Sequence, residues 1–381
     1  MTGAALVLLL SPILSEASSF SYAGWIPFWE KDRGISDLTE NLTKVHSVSP
    51  FSYEVRSNGT LVDKIKIDEG VWPIWRVVAK QIGVKVIPTV AWFDGEGIHK
   101  LLTNTKKRRA HEDAIAKLVK DKKFDGIDID YEAKKTETMG YFSLFIKGLA
   151  IRLHPMGKTL SCTIESRMPV DSRYNVVPGE KIEYANDYKV LNRYCDEVRI
   201  MAYDQGGVDR LLNDKKGNGA LYAPVADPEW AEKLIKEAMK TINPKKIVLG
   251  VPTYGYEYQA TWDSGITTYR RLRSVNYNTA MTLANLVGAV PARNAAGELG
   301  FWYGSSSFVE VSPALRRDVS STEPAEIMAS KQAGKITRFV SLSDAEAVAQ
   351  KIALAKKYNL KGVVLFKFDG GHDPLIWTKL L

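Results

Sequence analysis

Three carboxylates stand at every second position in the segment 124–132, at Asp128, Asp130 and Glu132. Alternate residues of a β-strand point to the same face, so the acids would share one face at intervals of about 7 Å while apolar residues occupy the other. Carboxylates this close repel one another and resist burial, so at least one is expected to hold a proton near neutral pH. This pattern is typical of a site that needs a tuned acid.

Two other interpretations of these acids stay open at the level of sequence. They could bind a divalent cation, although no histidine and no fourth oxygen ligand stands nearby in the sequence. They could also persist in a barrel that binds its ligand without reacting. The histidines are scattered and form no H-E-x-x-H pattern, and no phosphate-binding loop is present. Neither of these two features indicates a metal or cofactor site.

The elements that must position the acids alternate along the chain. Short β-rich runs are separated by amphipathic helical stretches, the pattern of a parallel sheet wrapped by helices. Strands and helices in this order predict an α/β fold, the (β/α)8 TIM barrel, with Glu132 at the carboxyl-terminal mouth where catalytic residues of this fold collect. The predicted strands are 21–29, 45–55, 84–93, 124–132, 159–167, 197–205, 246–256 and 361–369, with helices in 110–120, 138–153, 227–241 and 343–358.

One interval is too long for a single helix. Residues 259–337 separate the seventh and eighth predicted strands, and they are too apolar for a loose loop. A helical stretch at 279–287 and a strand-like run at 300–303 predict a small α+β insertion here. Barrel strands one to seven then occupy 18–258, and the last helix and strand occupy 338–381. The pair Asn58-Gly59 predicts a hairpin that extends the second strand.

Residues 4–14 form an apolar run that is too short to span the hydrocarbon core of a bilayer, about 30 Å. Small residues follow at positions 15 and 17, as a signal-peptidase site requires. The sequence thus predicts a signal peptide at 1–17, cleaved after Ala17, a secreted or cell-envelope protein, and no stable membrane span in the mature chain. Since no lysine or arginine precedes the apolar run, a retained anchor or a wrongly assigned start stays open.

The composition is that of a globular protein. Of 381 residues, 45% are hydrophobic and 25% are charged, which excludes disordered, collagen-like and coiled-coil chains. Lys+Arg 52 against Asp+Glu 44 gives a net charge of +8. The dense basic run 106–109 is interpreted as a solvated helix face, with attraction to a polyanion as the alternative, and no nucleic-acid partner is predicted. Cys162 and Cys195 are too few for a disulfide scaffold, and whether they pair stays open.

Four segments resemble one known family. The run D-G-I-D-I-D-Y-E at 125–132 resembles the DGxDxDxE signature of glycoside hydrolase family 18, the chitinase-type hydrolases. Residues 201–205 resemble the M-x-Y-D segment at the end of the family's sixth strand, and residues 249–256 are similar to its seventh strand. The resemblance runs from about residue 22 to residue 369. Within the family, residues 49–55 and 344–362 look most like the bacterial spore-cortex and cell-wall glucosaminidases.

The resemblance implies a reaction in which the substrate supplies the nucleophile and which needs no metal and no cofactor. The oxygen of its 2-acetamido group would attack the anomeric carbon, and water would open the resulting oxazolinium ion with retention. Glu132 would protonate the leaving oxygen and then activate the water. Asp130 would orient the acetamido N–H, Asp128 would share a proton with Asp130, and Tyr203 would bond the acetamido oxygen.

The resemblance also predicts the lining of a sugar groove. Aromatic and polar residues near the strand ends are the candidate substrate contacts: Asp204, Gln205, Tyr53, Trp29, Trp92, Tyr256 and Phe366. Phe366 stands where most members carry a tryptophan beneath the sugar next to the cleaved bond, and a phenylalanine stacks with less area and no N–H. Asp125 has the opposite parity from the other acids, so with Gly126 it is assigned structural support.

The expected protein is a secreted retaining hydrolase of β-1,4-linked N-acetylglucosamine polymers. Peptidoglycan is favoured over chitin because of the sub-family resemblance, the basic charge suited to an anionic wall, and the lack of a chitin-binding module in this sequence. A monomer with a polysaccharide partner is expected. A catalytically inactive, lectin-like barrel is the alternative, and a polyanion-binding protein on a reused barrel is a third interpretation.

Overall fold

Parallel strands close into a barrel that forms the body of the chain. The computed structural model describes residues 20–173, 183–218, 221–263, 266–304 and 336–380, so the predicted signal peptide lies outside the described residues. The strands of the described part are β1 (Ser21–Ile26), β2 (Ser47–Val55), β3 (Leu61–Asp63), β4 (Lys85–Val86), β5 (Thr89–Trp92), β6 (Gly126–Tyr131), β7 (Thr159–Ile164), β8 (Glu197–Ile200), β9 (Ile247–Pro252), β10 (Tyr254–Asp263), β11 (Ile266–Asn276), β12 (Ala292–Arg293), β13 (Leu299–Gly304), β14 (Ile336–Leu342) and β15 (Gly362–Phe366).

The barrel is made by β1, β15, β9, β8, β7, β6, β5 and β2 in that order, all parallel. It closes because β1 pairs with both β15 and β2. The predicted (β/α)8 barrel is therefore confirmed. The predicted run 84–93 is divided into β4 and β5 by Ile87 and Pro88, and Asn58-Gly59 joins β2 to β3 as an antiparallel hairpin with Gly59 at φ +87°.

Helices surround the barrel and bury one face against it. Those of the described part are α1 (Lys31–Glu40), α2 (Trp72–Gln81), α3 (Gly95–Thr103), α4 (Thr105–Asp121), α5 (Met139–Leu153), α6 (Val170–Arg173), α7 (Tyr188–Tyr194), α8 (Arg210–Gly217), α9 (Pro228–Met239), α10 (Tyr277–Val287) and α11 (Ala345–Lys357). Helix α9 lies within the predicted helix 227–241 and begins after Asp227, because the Asp227 side chain accepts the N–H of Glu229 and Pro228 opens the first turn. None of the described helices is both long and apolar enough to cross a membrane.

The basic run 106–109 lies in the first turns of α4 and faces two environments. Lys106, Lys107 and Arg109 are exposed, as a solvated helix face requires. Arg108 is buried, where it donates to the Leu102 carbonyl at 3.0 Å and lies 3.5 Å from Glu112. The interpretation as a solvated face is therefore wrong for Arg108, since its side chain is buried and has partners there.

A second, antiparallel sheet stands between the last two barrel strands. Its strand order is β11, β10, β14, β13, β12, and α10 packs on it around Leu283 and Val340. Strand β10 begins at Tyr254 and β14 ends at Leu342, beyond the predicted limits 259 and 337 on both sides. The predicted seventh strand, 246–256, therefore changes sheets at Thr253, whose N–H and hydroxyl bond the carbonyls of Phe366 and Lys367.

A disulfide joins Cys162 of β7 to Cys195, which follows α7, with 33 residues of sequence separation. Both cysteines are fully buried in the core between barrel and helices. The sequence left this pairing open because it depends on how close the fold brings the two residues. The bridge closes the segment that runs from the end of β7 through α7.

Candidate active site

Strand β6 separates its acids from its apolar residues as the alternation predicts. Asp128 and Asp130 are buried inside the barrel, whereas Ile127, Ile129 and Tyr131 pack in the core beneath the helices. Glu132 follows the strand and is half-buried at the carboxyl-terminal mouth. The acids therefore form one column that rises from the barrel interior to its opening.

Two residues before the column anchor the strand. Asp125 accepts the N–H of Val86 at 2.8 Å, which ties β6 to β4 at the base of the barrel. Gly126 faces the carbonyl oxygen of Thr159 so closely that a Cβ would lie 2.3 Å from it. Both residues thus contact the backbone of a neighbouring strand, which is the structural role expected for them.

Asp128 accepts hydrogen bonds at both carboxylate oxygens. Trp25 Nε1 and Thr89 Oγ1 donate to Oδ2 at 3.2 and 2.9 Å, and Thr163 Oγ1 donates to Oδ1 at 2.9 Å. Arg199 Nη1 lies 3.6 Å from Oδ2. Neighbouring strands thus hold Asp128 from several sides, and its position inside the barrel is fixed.

Arg199 is a buried charge at the floor of the site that the sequence did not single out. Its guanidinium donates to Ser49 Oγ at 2.6 Å and to Glu197 Oε2 at 3.1 Å. Burial raises the pKa of Glu197, but Arg199 and Lys361 more than offset it and hold that pKa below its usual value. Within the described ranges, no group of three or more histidine, cysteine or acidic side chains is arranged to hold a metal ion.

Asp130 is deeply buried, and one of its carboxylate oxygens, Oδ1, has no hydrogen-bond partner among the described residues. Burial raises the pKa of Asp130 well above its ordinary value, and the negative charges of Glu132 and Asp128 raise it further. Both influences favour the protonated form of Asp130, and its Oδ1, which lacks a partner among the described residues, can accept a hydrogen bond from a ligand.

Glu132 has the electrostatics of a proton donor. Burial raises its pKa to about 7, with further contributions from the negative charges of Glu165 and Asp204 and an opposing one from Lys134. A carboxylic acid with a pKa near the working pH can both give and take a proton. The mouth of the barrel therefore holds a carboxyl group suited to general acid and base chemistry.

Glu165 is another residue of the site that the sequence did not single out. It follows β7 directly and accepts the N–H of Ala133 at 3.1 Å and the amide of Asn186 at 2.9 Å. Lys134 Nζ lies 3.3 Å from its Oε2. The available signal was its place: an acid just beyond the carboxyl end of a barrel strand stands where site residues of this fold collect.

Tyr203 and Phe366 lie together at the centre of the mouth. Their rings stack 5.4 Å apart with an interplanar angle of 16°. Phe366 also contacts Trp25 edge-on at 5.9 Å and Tyr254 at 5.8 Å. Burial raises the pKa of Tyr203 well above its usual value, helped by the charge of Asp130, so the Tyr203 hydroxyl keeps its proton and can donate it in a hydrogen bond.

Asp204 stands at the rim, exposed, with a positive φ of 60°. Its Oδ1 accepts the hydroxyls of Tyr254 and of Tyr256, the latter at 2.6 Å. Tyr256, predicted as a sugar contact on the seventh barrel strand, belongs instead to β10 of the second sheet and is buried with its hydroxyl on Asp204. Its role in this geometry is to hold Asp204.

Three predicted sugar contacts lie away from the mouth. Tyr53 packs against Phe124 on the helix side because a bulge between Phe51 and Tyr53 reverses the alternation of β2. Trp92 is likewise buried on the helix side, 5.6 Å from Tyr131. The interpretation of both residues as groove aromatics is wrong, because their rings are covered by helices.

Gln205 is the third of these residues. Its side chain is fully buried, donates to Asn213 Oδ1 at 2.9 Å and accepts the N–H of Asp227 at 2.7 Å. These bonds tie the loop after β8 to the start of α9. Gln205 therefore supports the loop that carries Asp204 and does not face the rim, contrary to the prediction.

Trp29 and Phe93 form an exposed aromatic surface at the mouth, and the buried Phe51 lies between them. Trp29 is 49% exposed and Phe93 is 51% exposed, and Phe51 lies between them, 6.2 Å from Trp29 and stacked on Phe93 at 6.3 Å. Trp29 is where the sequence predicted a groove aromatic. Phe93 takes the place assigned to Trp92, because it directly follows this last residue of β5 and its side chain therefore points to the opposite side.

A (β/α)8 barrel with a column of acids on its fourth barrel strand and an aromatic mouth is an arrangement suited to a glycosidase. The family model of the glycosyl hydrolases family 18 matches residues 34–371, and the chain belongs to this family. The uncharacterized glycosylase YvbX of Bacillus subtilis is 23% identical over 288 residues, 76% of this chain and 70% of that protein.

Solved structures share the fold. The spore cortex-lytic enzyme SleL of Bacillus megaterium QM B1551 superposes with a TM-score of 0.69 at 18% identity, over 95% of this chain and 73% of that one. A class V chitinase from Pseudomonas fluorescens Pf-5 gives 0.71 at 20% identity, over 95% of this chain and 98% of that one. These identities are low, so the likeness concerns the fold alone.

Proposed function

We propose that this chain is a secreted retaining hydrolase that cleaves β-1,4-linked N-acetylglucosamine polymers, with peptidoglycan preferred to chitin. The observation that carries the proposal is the acid pair at the mouth. Glu132, with a pKa of about 7, stands above the buried Asp130, which keeps one oxygen without a partner in the described residues.

In the proposed reaction this pair acts together with the acetamido group of the substrate. The acetamido oxygen of the substrate bonds to its own anomeric carbon while the bond from that carbon to the leaving oxygen breaks, and Glu132 gives its proton to that oxygen. The free Asp130 oxygen accepts the acetamido N–H, and the Tyr203 hydroxyl donates to the acetamido oxygen. Water then bonds to the anomeric carbon while the bond from that carbon to the acetamido oxygen breaks, and the water gives a proton to Glu132, which restores the acid. The two displacements together retain the configuration.

Binding of a sugar chain is supported by the mouth itself. Phe366 and Tyr203 offer a flat aromatic floor beside the acids, and Trp29 and Phe93 extend an exposed aromatic surface on which further sugar rings can stack. Asp204, with its carboxylate oriented by two tyrosines, is a hydrogen-bond acceptor for sugar hydroxyls.

Peptidoglycan and an extracellular location rest on independent features. The net charge of +8 favours an anionic wall, and the structural neighbour SleL is named for lysis of spore cortex. The disulfide between Cys162 and Cys195 fits an oxidising compartment, as does the apolar segment 4–14.

The test is reducing-end release from purified peptidoglycan and from chitin oligomers, with Glu132→Gln beside the unchanged protein. Glu237→Gln is the matched control, because Glu237 pairs with Lys240 in the last turn of α9, at the end of that helix away from the mouth. Release that is lost only in Glu132→Gln supports the acid role, and the polymer cleaved faster identifies the substrate. Sugar binding without release from either polymer would favour the lectin-like alternative.

The participation of the acetamido group has its own test. An oligomer whose reacting sugar is de-N-acetylated lacks the internal nucleophile and should not be cleaved, although it still binds. Proton NMR during hydrolysis should show the β-anomer as the first product. Cleavage of the de-N-acetylated unit at a comparable rate would contradict substrate assistance.

A further inference from the structure

The backbone turns sharply directly after Glu132. Ala133 has a φ of 54°, in the left-handed region that residues with a Cβ seldom adopt. Its N–H donates to Glu165 Oε1 at 3.1 Å. Its carbonyl oxygen lies against Gly95, where a Cβ would come within 2.0 Å. The turn that ends β6 and directs the Glu132 side chain is therefore held on both sides.

Glu165 is engaged by the protein through both of its carboxylate oxygens. Asn186 Nδ2 donates to Oε2 at 2.9 Å, and Lys134 Nζ lies 3.4 and 3.3 Å from Oε1 and Oε2. Lys134 has a fully buried side chain, which also donates to the Tyr131 carbonyl and lies 4.9 Å from the ring centroid of Phe142. The proposed reaction uses neither Glu165 nor Lys134, yet both are built into the end of the catalytic strand.

We propose that Glu165 is a positioning residue for Glu132. It fixes the turn at Ala133 that directs the Glu132 carboxyl and, as a charged pair with Lys134, sets the pH range in which Glu132 holds its proton. This inference rests on the proposed role of Glu132 as the acid of the reaction.

Glu165 and Lys134 act on the pKa of Glu132 in opposite directions. Glu165 and Asp204 face it with negative charge and raise its pKa, Lys134 lowers it, and the acids Asp130 and Asp128 lie deeper in the same column. Removal of the Glu165 charge lowers the proton affinity of Glu132. Removal of the Lys134 charge raises it. Opposite shifts from two adjacent residues are a signature that a general loss of packing does not produce.

Three variants separate position from charge. Glu165→Gln keeps an acceptor for the Ala133 N–H and removes the charge, Glu165→Ala removes both, and Lys134→Met removes the positive charge at similar length. Glu237→Gln is the control, because it makes the same chemical change in an ion pair at the far end of α9.

Two readouts follow these variants. One is the alkaline limb of the pH profile of kcat/KM on N-acetylglucosamine oligomers. The other is the ¹³C-carboxyl NMR titration of Glu132, assigned by the resonance that Glu132→Gln removes, which does not depend on activity. Glu165→Gln should move both to lower pH by about half to one unit, and Lys134→Met should move both to higher pH by a similar amount. Glu165→Ala should also lose kcat by more than about tenfold, with KM within about twofold.

The outcomes distinguish this inference from the proposed function. Suppose that the unchanged protein cleaves its substrate, and that Glu165→Gln and Glu237→Gln have the same alkaline limb of kcat/KM and the same NMR titration of Glu132. Glu165 then does not act on Glu132, and the inference is overturned. If no oligomer is cleaved, the proposed function fails, and the NMR titration of Glu132 in Glu165→Gln still decides the charge effect. If Lys134→Met does not fold, the Glu165→Gln shift alone decides.

Discussion

The Cys162–Cys195 disulfide should contribute measurable stability without taking part in the reaction. It closes a loop of 33 residues that includes Glu165 and Asn186, and both cysteines are buried. In the chain-entropy model, the cross-link that closes a loop of this length raises the free energy of the unfolded chain by about 3.7 kcal/mol at 25 °C. For a chain of 381 residues, the unfolding entropy is about 0.8 kcal/mol/K. Loss of the disulfide should therefore lower the Tm by about 5 °C relative to the oxidised protein.

The perturbation is the double variant Cys162→Ala with Cys195→Ala, measured by calorimetry and urea unfolding with and without reductant. The unchanged protein should lose stability when reduced. The double variant should have a lower Tm and free energy of unfolding than the oxidised protein, and reductant should not change either value. Oligomer cleavage well below the Tm should stay within about threefold, since neither cysteine touches the acids. A double variant within about 1 kcal/mol of the oxidised protein would refute the loop-closure reasoning.

Four further outcomes follow from the site. Cleavage should fall about tenfold per pH unit above pH about 7, because Glu132 must be protonated to act, and a flat profile up to pH 9 would contradict this. Phe366→Trp should improve kcat/KM on oligomers about fivefold by added stacking area, and a lower value would mean that the contacts with Trp25 and Tyr254 leave no room. Tyr256→Phe removes one of two hydroxyls on Asp204 and should lower kcat/KM severalfold with a loss of about 1 kcal/mol in urea unfolding, whereas no change in either would show that Tyr254 suffices. Trp29→Ala should raise KM for long chains more than for dimers while the Tm is unchanged, since the ring is half exposed, and equal effects on both lengths would argue against stacking.

The strand boundaries mark where local pattern stops being informative. The predicted runs 197–205 and 246–256 each extend past the barrel strand, which ends at Ile200 and at Pro252. Beyond those points the apolar and aromatic residues serve the loop that carries Asp204 and the second sheet. Alternation of side chains does not reveal which of two sheets a strand joins, because both bury one face of it.

The sequence by itself determined the barrel and the acid column. Eight apolar runs with helices between them have one common architecture, and the period of a strand assigns Asp128, Asp130 and Glu132 to one face without any knowledge of their neighbours. Rules of this kind concern only a few neighbouring residues, so they can be recognised from the amino-acid sequence alone.

The tertiary structure alone decided what those acids face. The bulge that turns Tyr53 outward, the disulfide, and the meeting of Glu132 with Glu165, 33 positions later, all depend on how distant segments pack. The pKa of Glu132 belongs to this second class, because burial and the charges of other strands and loops set it. A carboxyl group becomes an acid suited to neutral pH only when the fold removes water from it and brings like charge beside it.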